Sequence, residues 1–280
     1  MSRLQKILRA REAVTILART PAWEHLSLPG WTDITPAAAR LLANRAGNLY
    51  FQDLLFLTAK AASELGAHHS RIREMLVNPA EKYFPPGSYS FTIHGYRLAL
   101  PKIRSLSIEA AKGLAQHIGC AALNGKMRLS QAAARELAYY RGCGLTFLGP
   151  TYFSPSVLKE LAHYRGPLNL DGLMKLSLAQ AEALSSCKGF PSLRGLKTLS
   201  AQAAKLLTRD AEEMELCGVR QISDEVAEII GQSNCRVILH GLNKLTDKQY
   251  QLLMAKAKTS VDYSFFDLYD RTPYSPARLK

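Results

Sequence analysis

The side chains that could carry chemistry are scattered along the chain. The five cysteines include no Cys-x-x-Cys pair, whereas a zinc site needs four clustered ligands. His68 and His69 are adjacent, but a surface role is the better interpretation of this pair. The 280 residues contain no phosphate-binding glycine loop, nucleophile elbow or metalloprotease helix motif. We therefore expect no catalytic residue, no metal, no cofactor and no enzymatic activity.

A ten-residue pattern, Leu-x-Leu-x-Gly-Leu-x-x-Leu-Ser, dominates the chain, and a stretch rich in alanine and leucine follows each copy. The best copy runs from Leu168 to Ser177. Successive copies are 23 residues apart, once 24, with one longer break after the second copy. A fixed period of this size is typical of a solenoid, in which one structural unit stacks on its neighbours. The copies begin at Leu26, Leu49, Leu98, Ala121, Leu145, Leu168, Pro191, Met214 and Val237.

Each copy predicts one short strand, a turn and one helix. Apolar residues at positions 1 and 3 alternate with small or polar ones, as in a half-buried strand. Position 10 is Ser or Thr in every copy, which predicts a helix N-cap there. Ala at position 14 and Leu or Ile at position 17 predict the buried face of that helix. Glycines at position 5 and near the helix ends are expected to adopt left-handed backbone conformations.

These repeats resemble the leucine-rich repeat family over roughly residues 25–262. The chain departs from the family by carrying Gly-Leu where Asn is usual after the strand, and in this it looks like the short, bacterial-type variants. The resemblance implies an α/β solenoid: a right-handed horseshoe with a concave parallel β-sheet and convex α-helices. A helix-only repeat is the weaker alternative, because Leu-x-Leu followed by Gly starts a helix poorly.

We divide the chain into three parts: an N-terminal capping helix over 1–24, the repeat solenoid over 25–262, and a C-terminal cap with a flexible tail over 263–280. The N-terminal segment is amphipathic and basic, so a membrane-surface or targeting helix and a partner-binding helix remain alternatives to the cap. A degenerate repeat with an irregular loop is expected at about 71–97. Such an insertion either carries binding function or reflects tolerated drift.

The formal net charge of +13 raises nucleic acid or an anionic membrane as partners. Most Lys and Arg fall on positions that we expect on exposed helix surfaces or loops, so a solvated basic convex surface is the leading interpretation. No apolar run approaches the roughly 20 residues that span a bilayer, and we predict no transmembrane segment. We expect a monomer in the cytoplasm, with export to a host cell by a signal-less route left open.

The cysteines are expected to be reduced thiols in the core or loops, which implies a reducing compartment. Cys120 and Cys143 share a repeat position, so they could be neighbours in adjacent units.

Positions 2 and 4 of each copy should face away from the core and form the concave binding surface. The C-terminal half of this surface is the more strongly featured, although ordinary exposed strand residues would look the same. We expect a non-enzymatic protein–protein interaction scaffold that binds a protein partner there, and the alternative is a basic nucleic-acid or anionic-surface binding protein. The candidate partner-binding residues are Tyr50, Arg97, Asn169, Asp171, Arg194, Glu215, Arg236 and His240.

Overall fold

The computed structural model describes residues 5–67 and 97–256, apart from residues 22, 23, 46, 188 and 190. Short strands and helices alternate through both ranges. The strands are β1 (Ile7–Leu8), β2 (Leu26–Ser27), β3 (Asp33–Ile34), β4 (Leu49–Tyr50), β5 (Arg97–Leu100), β6 (Ser105–Leu106), β7 (Cys120–Asn124), β8 (Arg128–Leu129), β9 (Gly144–Leu148), β10 (Leu168–Asn169), β11 (Pro191–Ser192), β12 (Glu213–Glu215) and β13 (Arg236–Ile238). The helices are α1 (Ala10–Ala18), α2 (Pro36–Ala43), α3 (Ala59–Gly66), α4 (Ile108–Leu114), α5 (Gln131–Leu137), α6 (Pro155–Leu161), α7 (Leu178–Ser185), α8 (Ala201–Leu207), α9 (Asp224–Gln232) and α10 (Asp247–Leu253), with a final 3-10 turn at Met254–Lys256.

The protein is an α/β fold built on a nine-stranded parallel sheet. Its strands lie in chain order, β2-β4-β5-β7-β9-β10-β11-β12-β13. The pairing joins residues at the same repeat position, for example Leu168 with Leu145 on one side and Pro191 on the other. The long break in the repeat does not interrupt the sheet, because Leu49 of β4 pairs directly with Leu98 of β5. The irregular loop predicted within 71–97 lies outside the described residues, except that Arg97 begins β5.

One continuous apolar core lies between the sheet and the helices. In the unit that starts at Leu168, the side chains of Leu168 and Leu170 are fully buried, whereas Asn169 between them is partly exposed. Ala181 and Leu184 of α7 close the core from the other side. Alanine allows close approach and leucine fills the remaining space, so each helix packs tightly against its own strand and its neighbours.

The predicted helix caps are confirmed at all nine positions. In every unit the Ser or Thr oxygen accepts a hydrogen bond from the backbone N–H three residues later. The cap residues are Thr35, Thr58, Ser107, Ser130, Ser154, Ser177, Ser200, Ser223 and Thr246.

The prediction that the glycines adopt left-handed backbone conformations is wrong for most of them. Among the described glycines, only Gly30 (φ 79°) and Gly149 (φ 72°) have positive φ. Most of the others are needed for space: a Cβ at Gly195 would overlap the carbonyl oxygen of Asp171 in the preceding unit, and a Cβ at Gly142 would overlap the carbonyl oxygen of Gly119. Close stacking of neighbouring units, not the backbone angle, selects glycine at these places.

The N-terminal segment is joined to the first unit by both a strand and a helix. β1 pairs in parallel with β3, and Leu8 and Ala13 are fully buried. Helix α1 packs on α2, where it covers apolar surface at that end of the helix stack. The predicted C-terminal cap and flexible tail, 263–280, lie outside the described residues.

The expectation that all five cysteines are reduced is wrong. Cys120 and Cys143, which are 23 residues apart in adjacent units, form a disulfide with Cα atoms 5.1 Å apart. Parallel pairing brings Cys120 beside Gly144 and therefore next to Cys143. Cys187, Cys217 and Cys235 are free thiols. The inference to a reducing compartment rested on five reduced thiols and loses that basis.

Candidate functional site

A hydrogen-bonded cluster of polar side chains lies on the solvent-facing side of the sheet, across β10, β11 and β12. Arg194 donates to both oxygens of Glu215, at 2.7 and 3.0 Å. The Ser192 hydroxyl lies 2.6 Å from one oxygen of Asp171 and 3.1 Å from one oxygen of Glu215. Asn169 donates to the other Asp171 oxygen at 3.0 Å. We call these five residues (Asn169, Asp171, Ser192, Arg194 and Glu215) the sheet cluster.

Strand register places these residues together. Asn169 pairs with Ser192, and Ser192 pairs with Glu215, so that repeat position 2 of three successive units forms one row. Asp171 and Arg194 occupy position 4, just beyond the strands, and Asp171 accepts a hydrogen bond from the Arg194 backbone N–H at 3.0 Å. The cluster is therefore cross-linked between units by side chains as well as by the sheet.

Arg194 and Glu215 form the principal ion pair of the cluster. Hydrogen bonding to Glu215 raises the pKa of the Arg194 guanidinium above its usual value. The Arg194 side chain remains 42 % exposed, while that of Glu215 is 16 % exposed. A partly exposed pair of this kind contributes about 0–1 kcal/mol to stability, so its main effect is to fix where the two charges stand.

Two further candidates lie at the C-terminal end of the sheet. Arg236 donates to Glu213 at 3.0 Å, in a second ion pair formed across the paired strands β12 and β13. His240 is exposed in the turn after β13, and its side chain forms no hydrogen bond with the described part of the chain. The structure therefore places Arg236 beside the sheet cluster but does not join His240 to it.

The remaining candidates lie toward the other end of the sheet. Tyr50 is half-buried in β4, where its hydroxyl accepts from Asn48 at 3.1 Å and its ring meets His25 edge-on. The backbone of Arg97 pairs with Cys120 at the start of β5, while its side chain lies outside the described residues. The eight candidates thus do not form one site. Asn169, Asp171, Arg194 and Glu215 do come together.

Sequence reasoning missed two members of this region. Ser192 links Asp171 to Glu215, and Glu213 pairs with Arg236. The sequence contained a signal for both residues. Ser192 occupies position 2 of the unit that lies between those of Asn169 and Glu215. Glu213 is two residues before Glu215 and therefore on the same side of the strand. Ser192 is almost fully buried by its neighbours, so it organises the cluster more than it offers contact.

The described side chains on the solvent-facing side of the sheet carry no excess positive charge. The residue before position 1 and the residues at positions 2 and 4 include two arginines and three carboxylates whose side chains are described, namely Arg194, Arg236, Asp171, Glu213 and Glu215. The chain as a whole carries +13, so its excess positive charge comes from other residues.

A cleft of about 800 Å³ lies at the C-terminal ends of α5 and α6. Several of its polar groups are engaged in the fold. Tyr140 and Tyr164 donate to the carbonyl oxygens of Gly119 and Gly142 at 2.6 and 2.9 Å, and Glu160 is held by Arg135.

Comparison of the chain with protein-family models and with curated proteins finds no match. In the described part of the chain, no three His, Cys, Asp or Glu side chains are grouped so that they could hold a metal ion. None of the helices in that part is both long enough and apolar enough to cross a membrane.

Proposed function

We propose that the protein is a non-enzymatic scaffold of the leucine-rich repeat type, which binds a protein partner on the solvent-facing side of its sheet. Parallel strands in chain order, each connection carrying a helix, support a solenoid of stacked units. Such strand–helix–strand connections are almost always right-handed. Helices are wider than the spacing between strands, so the stack curves with the sheet on the concave side.

The sheet cluster is the observation that carries this proposal. Side chains from three successive units are held in place by mutual hydrogen bonds, while Arg194 stays accessible to solvent. Side chains that are already ordered lose little conformational entropy when a partner binds. Arginine is also enriched among the residues that dominate protein interfaces.

The lack of excess positive charge among the described side chains on this side of the sheet favours a protein partner over nucleic acid. Affinity for nucleic acid depends mainly on neutralising phosphates with an excess of Lys and Arg. Here Arg194 and Arg236 each pair with a carboxylate. A partner with its own mixed charges can compete for or complement these pairs, whereas a polyanion would be repelled by Asp171, Glu213 and Glu215.

A charge-swapped variant tests the proposal. Arg194→Glu with Glu215→Arg can re-form an ion pair but presents reversed charges to a partner. Once a partner has been captured and purified, titration calorimetry should give about tenfold weaker binding for this variant, equivalent to about 1.4 kcal/mol.

The matched control is Arg40→Glu with Glu64→Arg, because Arg40 also donates to both oxygens of a carboxylate in the next unit, on the helical side. It should bind the partner as the unmodified protein does. Full affinity in the sheet variant together with lost affinity in the helix variant would move the interface to the helices.

A further inference from the structure

The connections from each strand to the following helix all lie at one edge of the sheet. The strands are parallel and each large-sheet strand is followed by its helix, so equivalent connections stack from unit to unit. Backbone hydrogen bonds join them: Lys197 donates to Met174 at 3.1 Å, and Arg128 donates to Arg104 at 2.8 Å. Residues at equivalent positions therefore stand beside one another along this edge.

Four successive segments of this edge, each running from repeat position 5 to the second residue of the following helix, contain no acidic residue. Three of them contain cations, and these cations, Lys126, Arg128, Lys175 and Lys197, are all exposed. The segments are 125–132, 149–156, 172–179 and 195–202, and Asp171 lies one residue before the third of them.

These four cations contrast with three cations on the helical side that are paired with carboxylates. On the helical side, Arg40, Arg135 and Lys248 each pair with a carboxylate of a neighbouring unit. Lys126, Arg128, Lys175 and Lys197 form no ion pair with a carboxylate in the described ranges. Clustered charge of one sign attracts a partner of the opposite sign, so this edge fits an anionic partner.

Large apolar side chains are exposed among the same cations. Tyr152 is 77 % exposed, Met174 51 % and Leu178 48 %. Thr151, next to Tyr152, donates its backbone N–H to Gly172, so the tyrosine lies beside the connection that carries Met174 and Lys175. We call this surface the basic apolar edge, defined by Arg128, Tyr152, Met174, Lys175, Leu178 and Lys197.

We propose that the basic apolar edge binds the surface of an anionic phospholipid bilayer. Basic side chains near such a surface are attracted to its anionic headgroups, and exposed apolar side chains enter the boundary between headgroups and acyl chains. Tyrosine is favoured at the same depth because its ring is apolar and its hydroxyl is polar. A row of residues along one edge can reach a planar surface together.

The aliphatic side chains favour lipid over single-stranded nucleic acid. Proteins that hold single strands stack successive bases on aromatic rings, and Met174 and Leu178 have no ring to offer. Burial of these two side chains in lipid, in contrast, favours binding. This surface is separate from the sheet cluster, so the inference holds independently of the protein partner proposed above.

Vesicle sedimentation tests the inference. The unmodified protein should sediment with vesicles of phosphatidylcholine plus phosphatidylserine and stay in solution with phosphatidylcholine alone. Lys175→Glu with Lys197→Glu should weaken binding by about 25-fold or more, since each basic residue near such a surface contributes about fivefold. Tyr152→Ser with Met174→Ser should reduce the fraction that stays bound at high salt, where headgroup attraction is screened.

Lys159→Glu with Lys205→Glu is the matched control, because both lysines are exposed on the helices α6 and α8, away from the edge. It should retain binding within about twofold, and circular dichroism should confirm that all variants are folded. Failure of the unmodified protein to bind the anionic vesicles, or an equal loss in the control, overturns the inference. Binding to poly(U) that requires Lys175 and Lys197, without binding to vesicles, would also overturn it and identify a nucleic-acid surface.

Discussion

In all nine units one Ser or Thr caps the N-terminus of the helix. This is the residue-scale feature that the sequence predicts best. The interaction is local: an oxygen at position 10 accepts from a backbone N–H three residues later. A local interaction needs only the correct residue at the start of an amphipathic stretch. The caps could therefore be predicted without knowledge of how the units stack.

Removal of one cap should weaken the fold by a small, measurable amount. We expect Ser177→Ala to lower the free energy of unfolding by about 1 kcal/mol, because the N–H of Gln180 loses its acceptor. Urea unfolding monitored by circular dichroism measures this change. Thr198→Ala is the control, since Thr198 is an exposed hydroxyl residue outside the caps, and it should stay within about 0.5 kcal/mol of the unmodified protein. An equal loss in both variants would contradict the capping role.

The glycines of position 5 show why some residue choices could not be explained from the sequence. The glycine at position 5 is visible in the sequence, but the reason for it depends on a carbonyl group in the preceding unit, 24 residues earlier in the case of Gly195 and Asp171. Only the assembled stack reveals how closely these two backbones approach.

A single methyl group should disturb this close approach. Gly195→Ala would push its Cβ into the carbonyl oxygen of Asp171, and we expect a loss of about 1–3 kcal/mol, as for other overpacked sites. Gly30→Ala provides a comparison, because Gly30 has positive φ but open surroundings, and it should lose only about 1 kcal/mol from backbone strain. If Gly195→Ala unfolded at the same urea concentration as the unmodified protein, the units would not be in close contact there.

At the scale of elements, the sequence could place side chains on a side of the sheet but could not assign their partners. Alternation along each strand put Asn169 and Glu215 on the solvent-facing side, and the common register put them in one row. Hydrogen-bond partners depend on rotamers and on Ser192 between them. Tyr50 and His240 satisfied the same sequence criterion and lie elsewhere, because equivalent positions of the nine parallel strands are spread along the whole sheet.

The contact between α5 and α6 predicts how stability depends on pH. Glu160 accepts hydrogen bonds from Arg135 and Gln131 at 2.9 and 2.7 Å. Arg135 is the main cause that lowers the pKa of Glu160 from 4.5 to about 2. A carboxylate with a lowered pKa in the folded state stabilises the fold above pH 4.5 and loses this contribution as the pH falls toward 2.

Glu160→Gln should therefore destabilise the protein at pH 7 by about 1–3 kcal/mol and have a much smaller effect at about pH 2. Urea unfolding at a series of pH values measures the difference. Glu136→Gln is the control on the same surface, because Glu136 forms no ion pair among the described residues. A constant difference between Glu160→Gln and the unmodified protein at all pH values would show that the charge of Glu160 is not what stabilises the contact.

At the scale of the whole molecule, stability comes from repeated contacts between neighbouring units. The sheet, the helices and the core each continue from one unit to the next. In such a stack the total stability is approximately a sum over units and their interfaces. A covalent bond between two neighbouring units adds stability to the interface between them. The disulfide between Cys120 and Cys143 forms such a bond near the middle of the sheet. Their spacing of 23 residues indicated proximity, but residue types alone could not tell bonded cysteines from reduced ones.

The oxidation state of this pair gives the last prediction. The denatured, unreduced protein should show three thiols that react with Ellman's reagent, namely Cys187, Cys217 and Cys235, and five after reduction. In the folded protein Cys187 and Cys235 should react slowly, since burial raises the pKa of Cys187 to about 11 and that of Cys235 to about 12. The bond closes a loop of 23 residues, so its reduction should cost about 3 kcal/mol of stability. Cys120→Ala with Cys143→Ala should lose a similar amount and become insensitive to reductant. Five reactive thiols before reduction would show that the pair is not bonded and that these units are joined by packing and hydrogen bonds alone.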